Sequence, residues 1–300
     1  MSNFRKFELG VAFLLIMIFS YISIYIFFGN NHSYTTIATT SFMIAMMCMQ
    51  YIYPEQPNRF DNGEVLTDWL FFGFSFLFSV VNAKIIDWAI EAGQLIWPKW
   101  AGGGGDGLSS LPLWLEVVIF MLVLDLGYYV THRLAHVSPL LFRFHSVHHT
   151  PDRISVLNSF RSHPIDSLWR RGVPMAIVLQ LGFGHDAVAI GVVITITAGF
   201  VQHLNVDFRY GFVNRIFGTS EVHRWHHSTK LEEAQNFGLL TVWDQVFGTF
   251  VFPPGDKRPV AMGLAEAGDR QRHHFIRELL YPFGLLTASR QKPVLERSAT

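Results

Sequence analysis

The sequence predicts an all-α membrane protein that crosses the bilayer several times. Half of its 300 residues are hydrophobic, 28 are Phe and only 15% are charged, whereas about a quarter of the residues of a soluble domain are charged. Several uncharged runs approach the roughly 20 residues that a helix needs to cross a bilayer core of about 30 Å. We therefore expect about four transmembrane helices, a further re-entrant or short helical hairpin, and a helical cap that carries the clustered histidines.

Four apolar segments are the predicted transmembrane helices: residues 9–28, 33–53, 69–97 and 113–130. Arg5 and Lys6 precede the first segment, and no small-residue cleavage site follows it, so we interpret it as an anchor rather than a signal peptide. The glycine-rich stretch at 98–107 lacks the Gly-Lys-Ser/Thr ending of a phosphate loop and predicts a flexible connector. The predicted hairpin consists of two apolar runs, residues 173–183 and 187–201, which the turn sequence Gly-His-Asp separates.

The distribution of basic residues predicts the orientation in the membrane. Before His132 the chain has 5 Lys and Arg against 10 Asp and Glu, and from His132 onward it has 18 against 13. The first loop, residues 29–33, contains no basic residue. Because basic loops stay on the cytoplasmic side, we expect the N-terminus and all the histidine clusters to lie there.

Eight of the fourteen histidines fall into three clusters, which are His132 and His136; His145, His148 and His149; and His223, His226 and His227. Spacings of three and four place side chains on one face of a helix. Neutral imidazole suits iron, zinc, copper and nickel, and eight ligands exceed what one ion takes. The clusters therefore predict two metal ions. The alternative, eight separately hydrogen-bonded histidines, requires a polar partner for each.

Asp125 is the candidate catalytic residue outside the histidine clusters. It lies seven residues before His132 and eleven before His136, so all three share one helix face. A carboxylate there could accept the second N–H of a ligating imidazole or bind metal itself. The alternative is a charge at a helix end that faces the headgroups.

The order of the motifs HRLAH, HSVHH, EVHRWHH, NFG and WDQVFGTF resembles that of the integral-membrane fatty acid hydroxylase and sterol desaturase superfamily. This resemblance implies a di-iron centre whose ligands are the three clusters and one histidine between the second and third. His203, in QHLN, matches that position, and His163, in RSHPID, matches a His-Pro element of part of the family. We expect His32, His185, His273 and His274 to be structural or surface residues.

The resemblance also implies the reaction, an O2-dependent hydroxylation or desaturation of a membrane lipid, with hydroxylation favoured. The substrate could be a sterol, a fatty acyl chain, an ether lipid, a carotenoid or an aminolipid. A separate protein of the ferredoxin or cytochrome b5 type would donate the electrons, and no nucleic-acid partner is expected. In this interpretation residues 1–112 form a transmembrane region, 113–255 the catalytic region and 256–300 a polar extension, and zinc can replace iron on purification.

Two other classes of function remain as alternatives. A histidine-rich metal transporter would place ionisable ligands along a path at the bilayer midplane, but the clusters follow the apolar runs. A zinc-dependent hydrolase needs a general base such as the Glu of His-Glu-x-x-His, and Glu221 is off that spacing. We further expect Arg161, Arg170 and Arg171 to form a basic surface for anionic headgroups or an acidic electron donor, or simply a solvated face.

Overall fold

Helices make up the fold in a computed structural model of the chain, which describes residues 6–13, 15–16, 20, 32–57, 62–96, 107–255, 257–264 and 274–284. No strand occurs among these residues, and their extended segments meet only at isolated bridges such as Phe217 with Leu240. Three helices within the described part of the chain are long and apolar enough to cross a membrane. The predicted all-α membrane fold is confirmed, and the chain is an integral membrane protein.

The helices of the described residues are, in chain order, α1 (His32–Ile52), α2 (Asn62–Ile96), α3 (Leu113–Val137), α4 (Pro139–His149), α5 (Pro164–Ser167), α6 (Val173–Leu179), α7 (His185–Gln202), α8 (Ser220–His226), α9 (Thr241–Val246) and α10 (Phe275–Leu280). The π-helical turn Leu168–Gly172 joins α5 to α6. The three membrane-spanning candidates are α2, α3 and α7, and the apolar part of α1 is shorter, Thr36–Ile52.

The first predicted span lies mostly outside the described residues, although residues 6–13 are helical. Most of the glycine connector and of the polar C-terminal extension also lies outside them. Residues 33–53 and 69–97 are helical over their described parts, as predicted. The second arm of the predicted short hairpin is longer than expected, because α7 has 18 residues and can cross the bilayer by itself.

Helix α3 extends beyond its predicted end at Val130 and includes the first histidine cluster. The helix ends at Val137, and the next residue, Ser138, has an extended conformation with φ −89° and ψ 119°. The physical reason is Pro139, since a proline disfavours the helical conformation of the residue before it. The first cluster therefore forms the last turns of a membrane-spanning helix rather than a segment beyond it.

Two glycines allow α3 to pack closely against its neighbours. A Cβ on Gly191 of α7 would lie 2.2 Å from Phe120, and one on Gly127 of α3 would lie 2.8 Å from Pro174. Small residues at such crossings let membrane helices approach each other closely. This packing fixes α6 and α7 against α3, so that the ends of α3 and α7 meet at the histidine clusters.

Arg161 and Arg170 do not form the predicted basic surface. The Arg161 side chain is fully buried, and it donates to Asp68 at 3.0 Å and to both carboxylate oxygens of Glu278. Burial opposes its charge, but Glu278 and Asp68 outweigh burial and raise the pKa of Arg161 above its ordinary value. Arg170 is buried against Asp166. Each buried guanidinium group therefore has acidic partners. Those of Arg161 are distant in sequence, and that of Arg170 is Asp166, one helical turn away.

Candidate metal centre

Two short helices with defined starting points present the second and third histidine clusters. The Ser138 side chain accepts the N–H of Leu141 at the start of α4, and the Thr219 hydroxyl accepts the N–H of Glu221 at 3.2 Å at the start of α8. A Ser or Thr cap stabilises a helix end by about 1 kcal/mol. Each cap fixes where its helix begins and therefore which way the histidines face.

Nine histidines meet in two adjacent groups. The first group consists of His132, His136, His145, His149 and His226, and the second of His148, His203, His223 and His227. All nine are buried, and the potential ligand atoms of each group lie within 4.8 Å of one another. The groups adjoin, since the ring centroids of His149 and His227 are 4.5 Å apart.

Each His-x-x-His-His cluster contributes to both groups. In α4 the first and last histidines belong to the first group, whereas His148 belongs to the second. In the third cluster the pattern is reversed, because His226 belongs to the first group and the other two histidines to the second. Neighbouring residues of a helix are about 100° apart around its axis, so adjacent histidines point to different groups. The repeated motif thus links the two groups.

Within each group the Nε2 atoms converge. Neighbouring Nε2 atoms lie 3.0 Å apart in His132–His145 and His223–His227, 3.1 Å apart in His136–His145 and His145–His149, and 3.3 Å apart in His203–His223. A neutral imidazole that is protonated on Nδ1 presents only a lone pair at Nε2. Lone pairs at such separations repel one another unless a cation lies between them.

Backbone carbonyls hold the opposite ring nitrogens. The Nδ1 atoms lie 2.8 Å from the carbonyl oxygen of Phe237 for His132, 2.8 Å from that of Gln235 for His226, 3.1 Å from that of Gly199 for His203 and 3.2 Å from that of Arg161 for His148. A carbonyl oxygen only accepts, so each of these Nδ1 atoms carries the proton. The arrangement fixes the tautomer and orients the Nε2 lone pair inward.

Asp166 holds a fifth imidazole and was not predicted from the sequence. Its Oδ1 lies 3.2 Å from Nδ1 of His145, while its two oxygens accept from Arg170 at 2.9–3.0 Å and from Ser162 at 2.9 Å. Arg170 and His145 outweigh burial and keep the pKa of Asp166 well below its usual range. Its only sequence signal is its place in RSHPID, the motif in which we predicted His163.

Burial keeps these imidazoles neutral. Together with the neighbouring imidazoles, burial lowers the pKa of His149, His223 and His227 well below 6.5. Burial, opposed by the hydrogen bond to the Gly199 carbonyl and assisted by Arg171 and Arg170, lowers the pKa of His203 to about 3. Unprotonated imidazole is the form that binds metal.

The donor set fits two transition-metal ions. The Nε2 atom of His226 is buried and has no hydrogen-bond partner among the described residues. Two nitrogen ligands about 2.1 Å from one ion, at angles of 90–109°, lie roughly 3.0–3.4 Å apart, which matches the observed separations. A set made only of imidazole nitrogens suits iron, zinc, copper or nickel rather than magnesium or calcium.

The motifs NFG and WDQVFGTF support the first group. Asp244 accepts the N–H of Phe237 at 2.8 Å and that of Gly238 at 3.0 Å, and Asn236 has a positive φ of 69°. The side chain of Asn236 bonds the backbone of Val251 in both directions, at 2.8 Å. These contacts fix the loop whose Phe237 carbonyl receives the His132 N–H.

Asp125 and His163 do not join either group. The Asp125 carboxylate accepts the N–H groups of Leu239 and Leu240 at 2.7 and 2.8 Å, so the expected contact with an imidazole is absent. His163 caps α5, where its Nδ1 accepts the N–H of Ile165 at 3.1 Å. Asp125 is therefore held by backbone amides of a loop distant in sequence, and His163 is held by the start of its own helix.

A cavity of about 930 Å³ leads to the histidine groups. Four histidines of the two groups line it, namely His132, His148, His203 and His223. Phe72 and Phe76 of α2 and Val188, Val192 and Ile196 of α7 line its apolar walls. It reaches along α7 from His203 to His185, which is about 27 Å at 1.5 Å per residue. The cavity has the shape and polarity to hold an extended hydrocarbon chain.

Comparison with known proteins agrees with this geometry. Residues 117–249 match the family described as fatty acid hydroxylase. An ornithine lipid hydroxylase, OlsE, of Rhizobium tropici is 35% identical over 57% of this chain and 51% of its own length. The alkylglycerol monooxygenase of Danio rerio is 28% identical over 58% and 38%. Methylsterol monooxygenase 2-2 of Arabidopsis thaliana is 25% identical over 51% and 60%.

The chain therefore spans about 40 to 60% of the length of these three relatives. No solved structure matches it significantly. The matched segment begins in α3 and ends after α9, so it contains all nine histidines of the two groups.

Proposed function

We propose that this chain, whose residues 117–249 match the fatty acid hydroxylase family, is a member of that family and hydroxylates a membrane lipid with O2 at a di-iron centre. The proposed ligands are the nine histidines of the two groups. When bound, the two irons would supply the activation of O2 that an unreactive C–H bond requires. The net reaction converts a C–H bond, O2, two electrons and two protons into a C–OH group and water.

One observation carries this proposal: the two groups of imidazoles lie at the end of a long apolar cavity. Backbone carbonyls and Asp166 orient the imidazoles, and the cavity walls hold a hydrocarbon chain beside them. The same walls exclude water, which protects a reactive centre from side reactions. The chain's own residues thus position one carbon and keep it dry.

The rival hydrolase function requires a general base, and the candidate for that role, Glu221, has other partners. Both Tyr210 N–H and the Asn214 amide donate to the same oxygen of Glu221, at 2.7 and 2.9 Å, and Glu221 belongs to neither histidine group. Its carboxylate therefore has a structural partner in place of a water molecule to activate. The names of the three relatives, which are hydroxylases or monooxygenases, favour hydroxylation over desaturation.

The electron donor and the orientation are further parts of the proposal. We propose that a separate ferredoxin or cytochrome b5 type protein supplies the two electrons. The excess of basic residues after His132 supports a cytoplasmic position for the histidine groups, where such a donor can reach them. Cysteine accessibility labelling of single-cysteine variants in intact cells would test this orientation.

The test uses purified protein from cells supplied with iron. Elemental analysis should find two irons per chain, and incubation with a lipid extract, a ferredoxin, its reductase and isotopically labelled O2 should give a lipid that has gained one labelled oxygen atom. His226→Ala should lower both readouts, whereas the matched exposed variant His274→Ala should leave both unchanged. Protein that carries only zinc and consumes no O2 with any reductant would contradict the proposal.

A further inference from the structure

The cavity lining contains one arginine, Arg171, that forms no ion pair of its own among the described residues. Asp166 attracts its charge, but that carboxylate is hydrogen-bonded to Arg170. Arg170 and Arg171 both line the cavity, and none of its described lining residues is Asp or Glu. The charge of Arg170 is compensated by Asp166, which it contacts through two nitrogens at 2.9–3.0 Å. No carboxylate of the described residues lies within ion-pairing distance of Arg171, whose side chain is exposed.

Arg171 lies beside the last two turns of α3, a helix that is long and apolar enough to cross a membrane. It is part of the π-helical turn between α5 and α6, and this turn is anchored on α3, where the carbonyl of Arg170 accepts from Thr131 at 3.3 Å. Pro174, three residues later, packs against Gly127. A cation that lines an apolar cavity without an ion pair is costly, and such cations in membrane proteins commonly mark a substrate path.

The position of Arg171 is at the histidine end of the cavity. Thr131, whose hydroxyl donates to the Arg170 carbonyl next to Arg171, is the neighbour of His132, and His203 lines the same cavity as Arg171. Tyr128, which also lines the cavity, offers a hydroxyl one helical turn from His132, or about 6 Å along the axis. A cation and a hydroxyl donor therefore stand beside the end where oxidation is proposed, far from His185.

We propose that the substrate is an anionic amphiphile whose carboxylate or phosphate binds Arg171, while its hydrocarbon chain extends along α7 toward His185. This inference rests on the proposed function and specifies its substrate class. The oxidised carbon then lies nearer the anionic end of the lipid than its terminal methyl group. Arg171 acts as a residue that determines specificity, and it holds no metal.

The test is a binding measurement without O2 or reductant. Full-length protein in phosphatidylcholine nanodiscs is loaded with a fluorescent fatty acid, which is then displaced by hexadecanoate, hexadecyl phosphate or hexadecanol. Because a hydrogen-bonded charge pair strengthens binding by roughly tenfold to a hundredfold, the two anions should displace the probe at correspondingly lower concentrations than the alcohol. Arg171→Gln should abolish this preference, and Arg171→Lys should retain part of it.

Two controls separate recognition from folding. Arg171→Gln should still bind hexadecanol and metal like the wild type, and Arg143→Gln, which removes an exposed arginine of α4 outside the cavity lining, should keep the preference for anions. Equal displacement by anion and alcohol in the wild type would overturn the inference, as would an unchanged preference in Arg171→Gln.

A further outcome concerns the source of the anion. If an anionic phospholipid copurifies with the protein and hexadecanoate fails to displace the probe, Arg171 holds a structural lipid and the substrate assignment is overturned.

Fragmentation mass spectrometry of the oxidised product should place the hydroxyl group in the half of the chain next to the anionic group. A preference for anions without any oxidation would refute the proposed reaction alone.

Discussion

Replacing Asp166 with Asn tests how the structure orients the histidines of the centre. The carboxylate contacts His145 at 3.2 Å and forms a buried ion pair with Arg170. Loss of a carboxylate that orients a ligand typically weakens metal binding by about 10- to 100-fold, which is roughly 1.4–2.8 kcal/mol. Breaking a buried ion pair costs a further 3–5 kcal/mol or so of folding stability. Asp166→Asn should therefore lose both metal affinity and stability.

A chelator titration of iron-loaded protein under anaerobic conditions measures the affinity, and thermal unfolding of the same samples measures the stability. The double variant Asp166→Asn with Arg170→Gln removes the unpaired cation as well, so it should recover stability without recovering affinity. Asp207→Asn, which weakens partly exposed ion pairs with Lys6 and Arg209 outside the histidine groups, is the matched control. It should leave iron affinity unchanged and alter stability by at most about 1 kcal/mol. Wild-type iron affinity in Asp166→Asn would refute the reasoning, and so would full recovery of affinity in the double variant.

Three further predictions concern other parts of the site. His226→Ala should reduce the iron content measured by elemental analysis, while His163→Ala should keep it, since only the first has a buried Nε2 without a partner; equal iron loss would restore His163 as a ligand. Asp125→Ala should lower the melting temperature because it leaves two partly buried N–H groups unpaired, at up to about 1–3 kcal/mol each, and an unchanged melting curve would contradict this role. The stability of the metal-free protein should fall as the pH drops below 6.5, because the unfolded His203 takes up a proton that the folded imidazole, with a pKa of about 3, does not. The slope, measured by unfolding at several pH values, should be about 1.4 kcal/mol per pH unit for each such histidine, and a flat profile would count against neutral buried imidazoles.

The sequence was sufficient for the parts of the protein that local periodicity determines. Apolar runs of helical length predicted the membrane-spanning candidates α2 and α3, because a bilayer core demands an apolar segment of fixed length. Spacings of three and four predicted that His145 and His149 share a helix face. The eight clustered histidines exceed the number of ligands that one ion takes, which predicted a second ion. Helix ends were less predictable, since α3 continued to the residue before Pro139.

Only the tertiary structure decided which groups pair across the chain. Asp125 has the same periodicity as His132, yet it binds amides more than a hundred residues away, while Asp166, without a strong signal, contacts His145. Arg161 and Arg171 look alike in sequence, but one is neutralised by buried carboxylates and the other faces the cavity. Helical spacing fixes a residue's direction on its own helix, whereas its partner depends on how helices cross, and that is set by packing between distant segments.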